Sequence, residues 1–268
     1  MDLELKDKVA IVTGGSKGIG EAIVRSFIAE GAQVVNANRS TAEGEAMAAE
    51  YAAQGRQCVF VQADLSETDA CRRVVDETMR RFGRIDALVN NAGANDGVGL
   101  DAGPDAFVAS LWRNLVHYYS LVHFALDALK ASRGAIVNIG SKVSATGQGG
   151  TSAYAAAKGA INALTREWAV DLAPHGIRVN AVLPAEVMTP LYARWLETLD
   201  DPAAAQRDIE ALIPLEQRFT TAREIADAVV FLASVRSGHT TGQIIYPDGG
   251  YTHLDRKCTV STAAQLQS

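Results

Sequence analysis

Cysteine is scarce. The 268 residues hold three, Cys58, Cys71 and Cys258, odd in number and unevenly spaced. That excludes a disulfide framework and suggests a reducing, cytoplasmic setting. Five histidines show no His-x-x-x-His pair and no cysteine cluster stands near them, so a protein-bound metal is not expected. No apolar run reaches the roughly 18 residues of a membrane-spanning helix. The opening Met1-Asp2-Leu3-Glu4 is acidic and lacks the apolar core of a signal peptide. Positive charge is not in excess: 25 Lys and Arg against 31 Asp and Glu give −6, which argues against nucleic acid or an anionic membrane as partner.

What remains is an ordinary soluble composition, 48% hydrophobic and 21% charged. Short apolar runs alternate with longer helical patterns. Strands are expected at Val9–Val12, from Val34, and at 58–61, 87–89, 135–139, 179–183 and 243–246. Between them lie helices, one after the first strand carrying Ile19, Ile23 and Phe27, then others near 43–53, 67–82, 105–130, 153–172 and 222–233. Thr221 with Glu224 forms a capping-box signal for the last. Strands apolar on both faces and separated by helices make an α/β fold, a doubly wound parallel sheet of seven strands. We read one domain over 1–268, with a tail after about 254. The stretch 187–214 is too long for a simple connection and is read as a helical lid-like excursion.

The first strand runs into Thr13-Gly14-Gly15-Ser16-Lys17-Gly18-Ile19-Gly20. Glycines between a strand and a helix permit a tight turn and a close backbone approach, and the helix start offers N–H groups to a pyrophosphate. Downstream, Tyr154-Ala-Ala-Ala-Lys158 sets a phenol and an ammonium one helical turn apart, with Ser141 upstream. An ammonium beside a phenol favours the phenolate, pulling its pKa from about 10 toward neutrality and suiting it to act as a general base.

The second strand ends Asn36-Ala37-Asn38-Arg39-Ser40, without the acid that usually grips the ribose 2′-hydroxyl of NAD. Arg39 can pair with a 2′-phosphate, and Lys17 supplies a second cation. NADP is therefore the expected cofactor. NAD stays possible, because Asn38 can hydrogen-bond a ribose hydroxyl.

The Gly-x-x-x-Gly-x-Gly spacing, Asn90-Asn91-Ala92-Gly93 after the fourth strand, and Ser141, Tyr154 and Lys158 occur in one order over about residues 5–251. In these the chain resembles the short-chain dehydrogenase/reductase family. The resemblance implies a seven-stranded Rossmann-like sheet and hydride transfer with a nicotinamide cofactor. It implies a catalytic set of Asn114, Ser141, Tyr154 and Lys158. Tyr154 would take the substrate's hydroxyl proton, Lys158 would reach the nicotinamide ribose, and Ser141 would hold the reacting oxygen. Asn114 would bend the 105–130 helix and hold a relay water. Cofactor contacts would come from Gly14, Ser16, Lys17, Gly18, Ile19, Gly20, Asn38, Arg39, Asp64, Leu65, Asn91, Ala92, Gly93, Tyr154 and Lys158. Pro184, Val187 and Thr189 would join them from the Pro184-Ala185-Glu186-Val187-Met188-Thr189 loop. Asp64 has a second reading, as turn chemistry before the next helix. Ala185 departs from the family's usual glycine.

Asn95, Asp96, Gln148, Glu186, Tyr192 and Trp195 are the candidate substrate contacts besides Ser141 and Tyr154. This polar set suits a hydroxyl-rich ligand better than a steroid or acyl chain. The segments 91–100, His117-Tyr118-Tyr119, 184–192 and 237–242 are similar to a narrower group within the family, the bacterial L-fucose dehydrogenases. That resemblance implies oxidation of the anomeric hydroxyl of L-fucose to a lactone, with L-galactose or D-arabinose as secondary sugars, in carbohydrate catabolism. Asp248-Gly249-Gly250-Tyr251 matches a family segment that packs at subunit contacts, so a homotetramer is expected, and the tail could reach a neighbour's site. Other readings stand beside this one. They are a 3-oxoacyl carrier-protein reductase or other short-chain alcohol or polyol dehydrogenase, and, of another class, a catalytically silent nucleotide-sensing regulatory protein on the same fold.

Overall fold

The computed structural model describes residues 1–254. Strands alternate with one or more helices along the chain. β1 (Val9–Thr13), α1 (Gly18–Ala29), β2 (Gln33–Asn38), α2 (Thr41–Ala53), β3 (Cys58–Gln62), α3 (Thr68–Phe82) and β4 (Ala87–Asn90) form the first half. The second half has α4 (Pro104–Leu111), α5 (His117–Ser132), β5 (Ala135–Ile139), α6 (Ser152–Leu172), β6 (Arg178–Val182), α7 (Pro190–Leu196), α8 (Pro202–Ala211), α9 (Ala222–Ala233) and β7 (Ile244–Ile245). The seven strands are parallel in the order β3-β2-β1-β4-β5-β6-β7. The order reverses between β1 and β4, and a crevice opens at the strands' carboxyl ends there.

Period-two alternation explains how one sheet supports two cores. Ala10 and Val12 of β1 join one core with Ile23, Val24 and Phe27 of α1 and with Ile225 and Val229 of α9. Ile11 points to the other, with Tyr118 and Leu121 of α5, and Ile161 and Trp168 of α6. Phe27 and Ile11 are fully buried, each worth about 1.5–3 kcal/mol relative to exposure.

The local signals have physical counterparts. Thr221 Oγ1 accepts from Glu224 N at 3.2 Å, and Glu224 Oε2 accepts from Thr221 N at 2.8 Å, closing the capping box of α9. The 187–214 excursion contains two short helices, each started by a capping side chain before a proline. Thr189 Oγ1 accepts from Tyr192 N, and Asp201 Oδ1 from Ala204 N.

The expected single helix over 105–130 is broken. A π turn, Trp112–Val116, separates α4 from α5. It inserts an extra residue into the helical register, and Asn114 sits inside it. No helix among the described residues is long and apolar enough to cross a membrane. Expectations for the tail, including Cys258 and Asp255, fall outside the described residues.

Candidate functional site

A cleft of about 700 Å³ runs along the carboxyl ends of the strands. Its floor is the turn after β1. Gly14 and Gly18 adopt left-handed φ of +66° and +58°, which glycine takes without strain. A Cβ on Gly20 would stand 2.1 Å from the Gly14 carbonyl oxygen, so no side chain fits there. Thr13 and Asn91 lock the floor to β4. Thr13 Oγ1 accepts from the N–H groups of Asn91 at 2.8 Å and Ala92 at 3.0 Å, and Asn91 Nδ2 donates to Thr13 O at 2.8 Å. Lys17 occupies the N-cap of α1 without giving a side-chain acceptor, so the first N–H groups of α1 lack that partner. A tight glycine floor, uncapped N–H groups and a long cleft fit a dinucleotide diphosphate.

At the β2 end, the expected roles of Asn38 and Lys17 change. Asn38 is buried, and its Nδ2 donates to Ser16 Oγ at 2.6 Å and Asn36 Oδ1 at 2.8 Å. Its Oδ1 accepts from Ser40 N at 2.8 Å, so the amide serves the turn itself. Lys17 pairs with Glu43 on α2 at 2.5 Å, which offsets the second cation expected for a 2′-phosphate. That contact holds Glu43 below the usual carboxylate range. Arg39 remains exposed on the cleft wall. Asp64 lines the cleft and also accepts from Ser66 N and Oγ, so both of its readings coexist.

The four residues of the catalytic set meet on one wall. Tyr154 stands in the first turn of α6, with Lys158 a turn later. Ser141 follows β5 and opens the short 3₁₀ turn Lys142–Ser144. Lys158 Nζ lies 5.5 Å from the Tyr154 ring centre. It donates to Ile139 O at 2.8 Å and Tyr118 Oη at 3.2 Å. Burial pushes Lys158 down to about 7. Burial also pushes Tyr154 up to about 12; the hydrogen bond with Ser141 opposes this, and the negative charge of Asp96 adds to it. Against the sequence expectation, burial works against the phenolate, and Lys158 directs donors to a carbonyl and a second phenol.

Asn114 is buried at 1% exposure. Its Oδ1 accepts from Ala94 N at 2.9 Å and its Nδ2 donates to Ser110 O at 3.2 Å. Gly93 must be small beside it, since a Cβ there would come 2.9 Å from Asn114 Oδ1. Two residues went unassigned in the sequence reading. Tyr118 shares the Ile139 carbonyl with Lys158, donating at 2.9 Å. His117 lines the cleft, with its Nε2 3.1 Å from Arg113 O and no hydrogen-bond partner for Nδ1 among the described residues. Burial lowers His117 to about 3, so the ring is neutral. Their positions three and four residues after Asn114 were the available signal.

The substrate candidates divide. Asp96, Ser141, Tyr154 and Tyr192 line the cleft, whereas Asn95, Gln148, Glu186 and Trp195 do not. Asp96 is engaged by Arg113 at 2.7 Å and Ser110 Oγ at 2.9 Å. Asn95 bonds Thr151, and Gln148 is exposed on its loop. Glu186 is neither a solvated acid nor an open acceptor. It is buried, ion-paired with Lys142, and accepts from Tyr192 Oη at 2.8 Å. Trp195 packs edge-on against Tyr192, 5.2 Å between ring centres, and remains 47% exposed. Among the described residues no three His, Cys, Asp or Glu side chains are grouped to hold a metal ion.

The family model described as enoyl-(acyl carrier protein) reductase matches residues 14–252. The chain is 37% identical to an L-fucose dehydrogenase of Mus musculus over 97% of its own length and 94% of that protein. The solved structure of Cj0485 dehydrogenase superposes with a TM-score of 0.90 at 43% identity, covering 96% of this chain and 98% of that one. Aldohexose dehydrogenase of Thermoplasma acidophilum superposes with a TM-score of 0.86 at 32% identity, covering 95% and 98%. The chain belongs to the short-chain dehydrogenase/reductase family, whose dehydrogenases act on CH–OH groups with NAD(P).

Proposed function

We propose that this short-chain dehydrogenase oxidises the anomeric hydroxyl of an aldose to a lactone, with L-fucose the first substrate and L-galactose or D-arabinose the next. The observation that carries the reading is similarity over nearly the whole chain to an L-fucose dehydrogenase and to an aldohexose dehydrogenase, two proteins each named for an aldose. The lining of the cleft supports it. Asp96, Arg113, Ser141 and Tyr192 offer polar groups around Tyr154, as a small hydroxyl-rich ligand needs and an acyl chain does not.

In this reading Ser141 donates to the reacting oxygen and Tyr154 takes its proton. Lys158 keeps a positive charge behind Tyr154 when protonated, and Asn114 holds the π turn against Gly93 and Ala94. The nicotinamide cofactor supplies the hydride acceptor. The floor at Gly14, Ser16, Gly18, Ile19 and Gly20 would hold its diphosphate. Of the other cleft-lining residues, Ala63, Asp64 and Leu65 would hold the adenine end, and Pro184, Val187 and Thr189 the nicotinamide end. Arg39 and the absence of an acid at the end of β2 favour NADP, with NAD as the competitor because Glu43 offsets Lys17. The protein acts as a homotetramer in this proposal, which light scattering checks.

The test is absorbance at 340 nm with NAD+ or NADP+, a panel of aldoses and a β-hydroxyacyl thioester. Turnover of L-fucose above the other sugars supports the reading. Activity on the thioester alone replaces it with the carrier-protein reductase. Dinucleotide binding without turnover of anything in the panel would favour the nucleotide-sensing alternative.

A further inference from the structure

We infer that Arg194, on α7, binds the diphosphate of the dinucleotide and draws that helix over the cleft. The inference rests on the dinucleotide reading of the cleft and not on which sugar is oxidised.

Lys17, Arg39, Arg113, Lys158 and Arg194 line the cleft. Four are accounted for. Lys17 is paired with Glu43, and Arg113 with Asp96. Lys158 is buried against Ile139 O and Tyr118. Arg39 lies near enough to Asp64 for its charge to lower that carboxyl. Arg194 has neither an ion pair nor a hydrogen bond among the described residues. A guanidinium on a cleft wall without an acid beside it is a site for an anion.

Position selects which anion. The start of α7 rests on the start of α1: a Cβ on Gly18 would stand 3.3 Å from Thr189 Cβ and 3.8 Å from Pro190 Cδ. Arg194 lies four residues after Pro190 and three after Leu191, so the three share one helix face. These three and Tyr192 line the cleft, whereas Trp195 and Leu196 do not. Arg194 is thus a cleft-lining position one helical turn after Pro190, which meets Gly18. Pairing of its planar fork with phosphate oxygens would complete, from above, the cradle that the α1 N–H groups form from below. The same contact would hold Tyr192, on the same helix, against the substrate end.

The experiment compares wild-type protein with Arg194→Gln. Calorimetry uses NAD+, NADP+, ADP and adenosine as probes, and hydrogen exchange follows residues 190–211 with and without NAD+. Arg194 is exposed, so the variant keeps the fold, and adenosine binding serves as its control. The expected result is a loss of about tenfold or more, alike for NAD+, NADP+ and ADP. Adenosine should be unaffected, and the exchange protection that NAD+ gives to 190–196 should disappear. Unchanged ADP affinity overturns the inference. So does a loss confined to NADP+, which would assign Arg194 to the 2′-phosphate, or one confined to the KM of the sugar. If wild-type protein itself bound no dinucleotide, the parent reading would fail instead.

Discussion

Lys142, half-buried, and Glu186, buried, form an ion pair that ties the turn carrying Ser141 to the loop after β6. The backbone repeats the tie, since Lys142 N donates to Pro184 O at 2.9 Å. Tyr192 Oη adds the lid helix to the same carboxylate. Removing the buried partner leaves the half-buried ammonium without its acid and the Tyr192 hydroxyl without its acceptor. Glu186→Ala should cost about 1.5–3 kcal/mol in urea unfolding, whereas Tyr192→Phe should cost about 1 kcal/mol. An Ala variant as stable as wild type would mean that the pair opens to solvent.

Tyr154→Phe should lower kcat by about 100- to 10,000-fold, the usual range for loss of a general base, while calorimetry shows unchanged cofactor affinity. Burial raises this phenol in the unliganded structure. Its reactive form is the phenolate, so kcat/KM for oxidation should climb toward alkaline pH. A flat profile from pH 7 to 10 would remove Tyr154 from the role of base.

Lys158 predicts a pH dependence of stability. Burial lowers its pKa to about 7 in the folded protein from an ordinary value of 10.5. Below about pH 7 both states carry the proton, and the burial penalty is complete. Between about 7 and 10.5 the unfolded chain binds more protons than the folded one, so stability rises with pH. The slope is at most about 1.4 kcal/mol per pH unit for one group. The difference between wild type and Lys158→Met in urea midpoints, taken at pH 7.5 and 9, isolates this term. Wild type should gain relative to the variant as the pH rises.

Cofactor choice is set by opposing charges at the β2 end. Arg39→Ala should raise the KM for NADP+ about tenfold and leave NAD+ unchanged. Glu43→Gln should lower the KM for NADP+, because Lys17 is released from its 2.5 Å partner. If Arg39→Ala affects both cofactors equally, or neither, the 2′-phosphate reading of this corner is wrong.

The sheet was legible because its signals are local. Strands buried on both faces leave apolar runs such as Ala135–Ile139, and the Thr221/Glu224 cap needs only four residues. The cluster of Ser141, Tyr154 and Lys158 was legible from spacing on α6 and the end of β5. What failed to show was competition for charge across the chain. Nothing near Lys17 in sequence announces Glu43, and nothing near Glu186 announces Lys142, 44 residues away. The sign of the Tyr154 shift was missed for a related reason. Helical spacing reveals the neighbouring ammonium, but desolvation comes from the whole surrounding core. The break at Trp112–Val116 was expected only as a bend, since an inserted residue leaves no mark in composition.

That inserted residue makes the chain intolerant of length changes at this one place. Each residue advances an α-helix by about 100°. Deleting one position within 112–116 would restore a regular helix and rotate everything on one side of it by that angle. Ser110 and Arg113 could then no longer both hold Asp96 while Asn114 meets Ala94. The catalytic wall is therefore held to a fixed residue count.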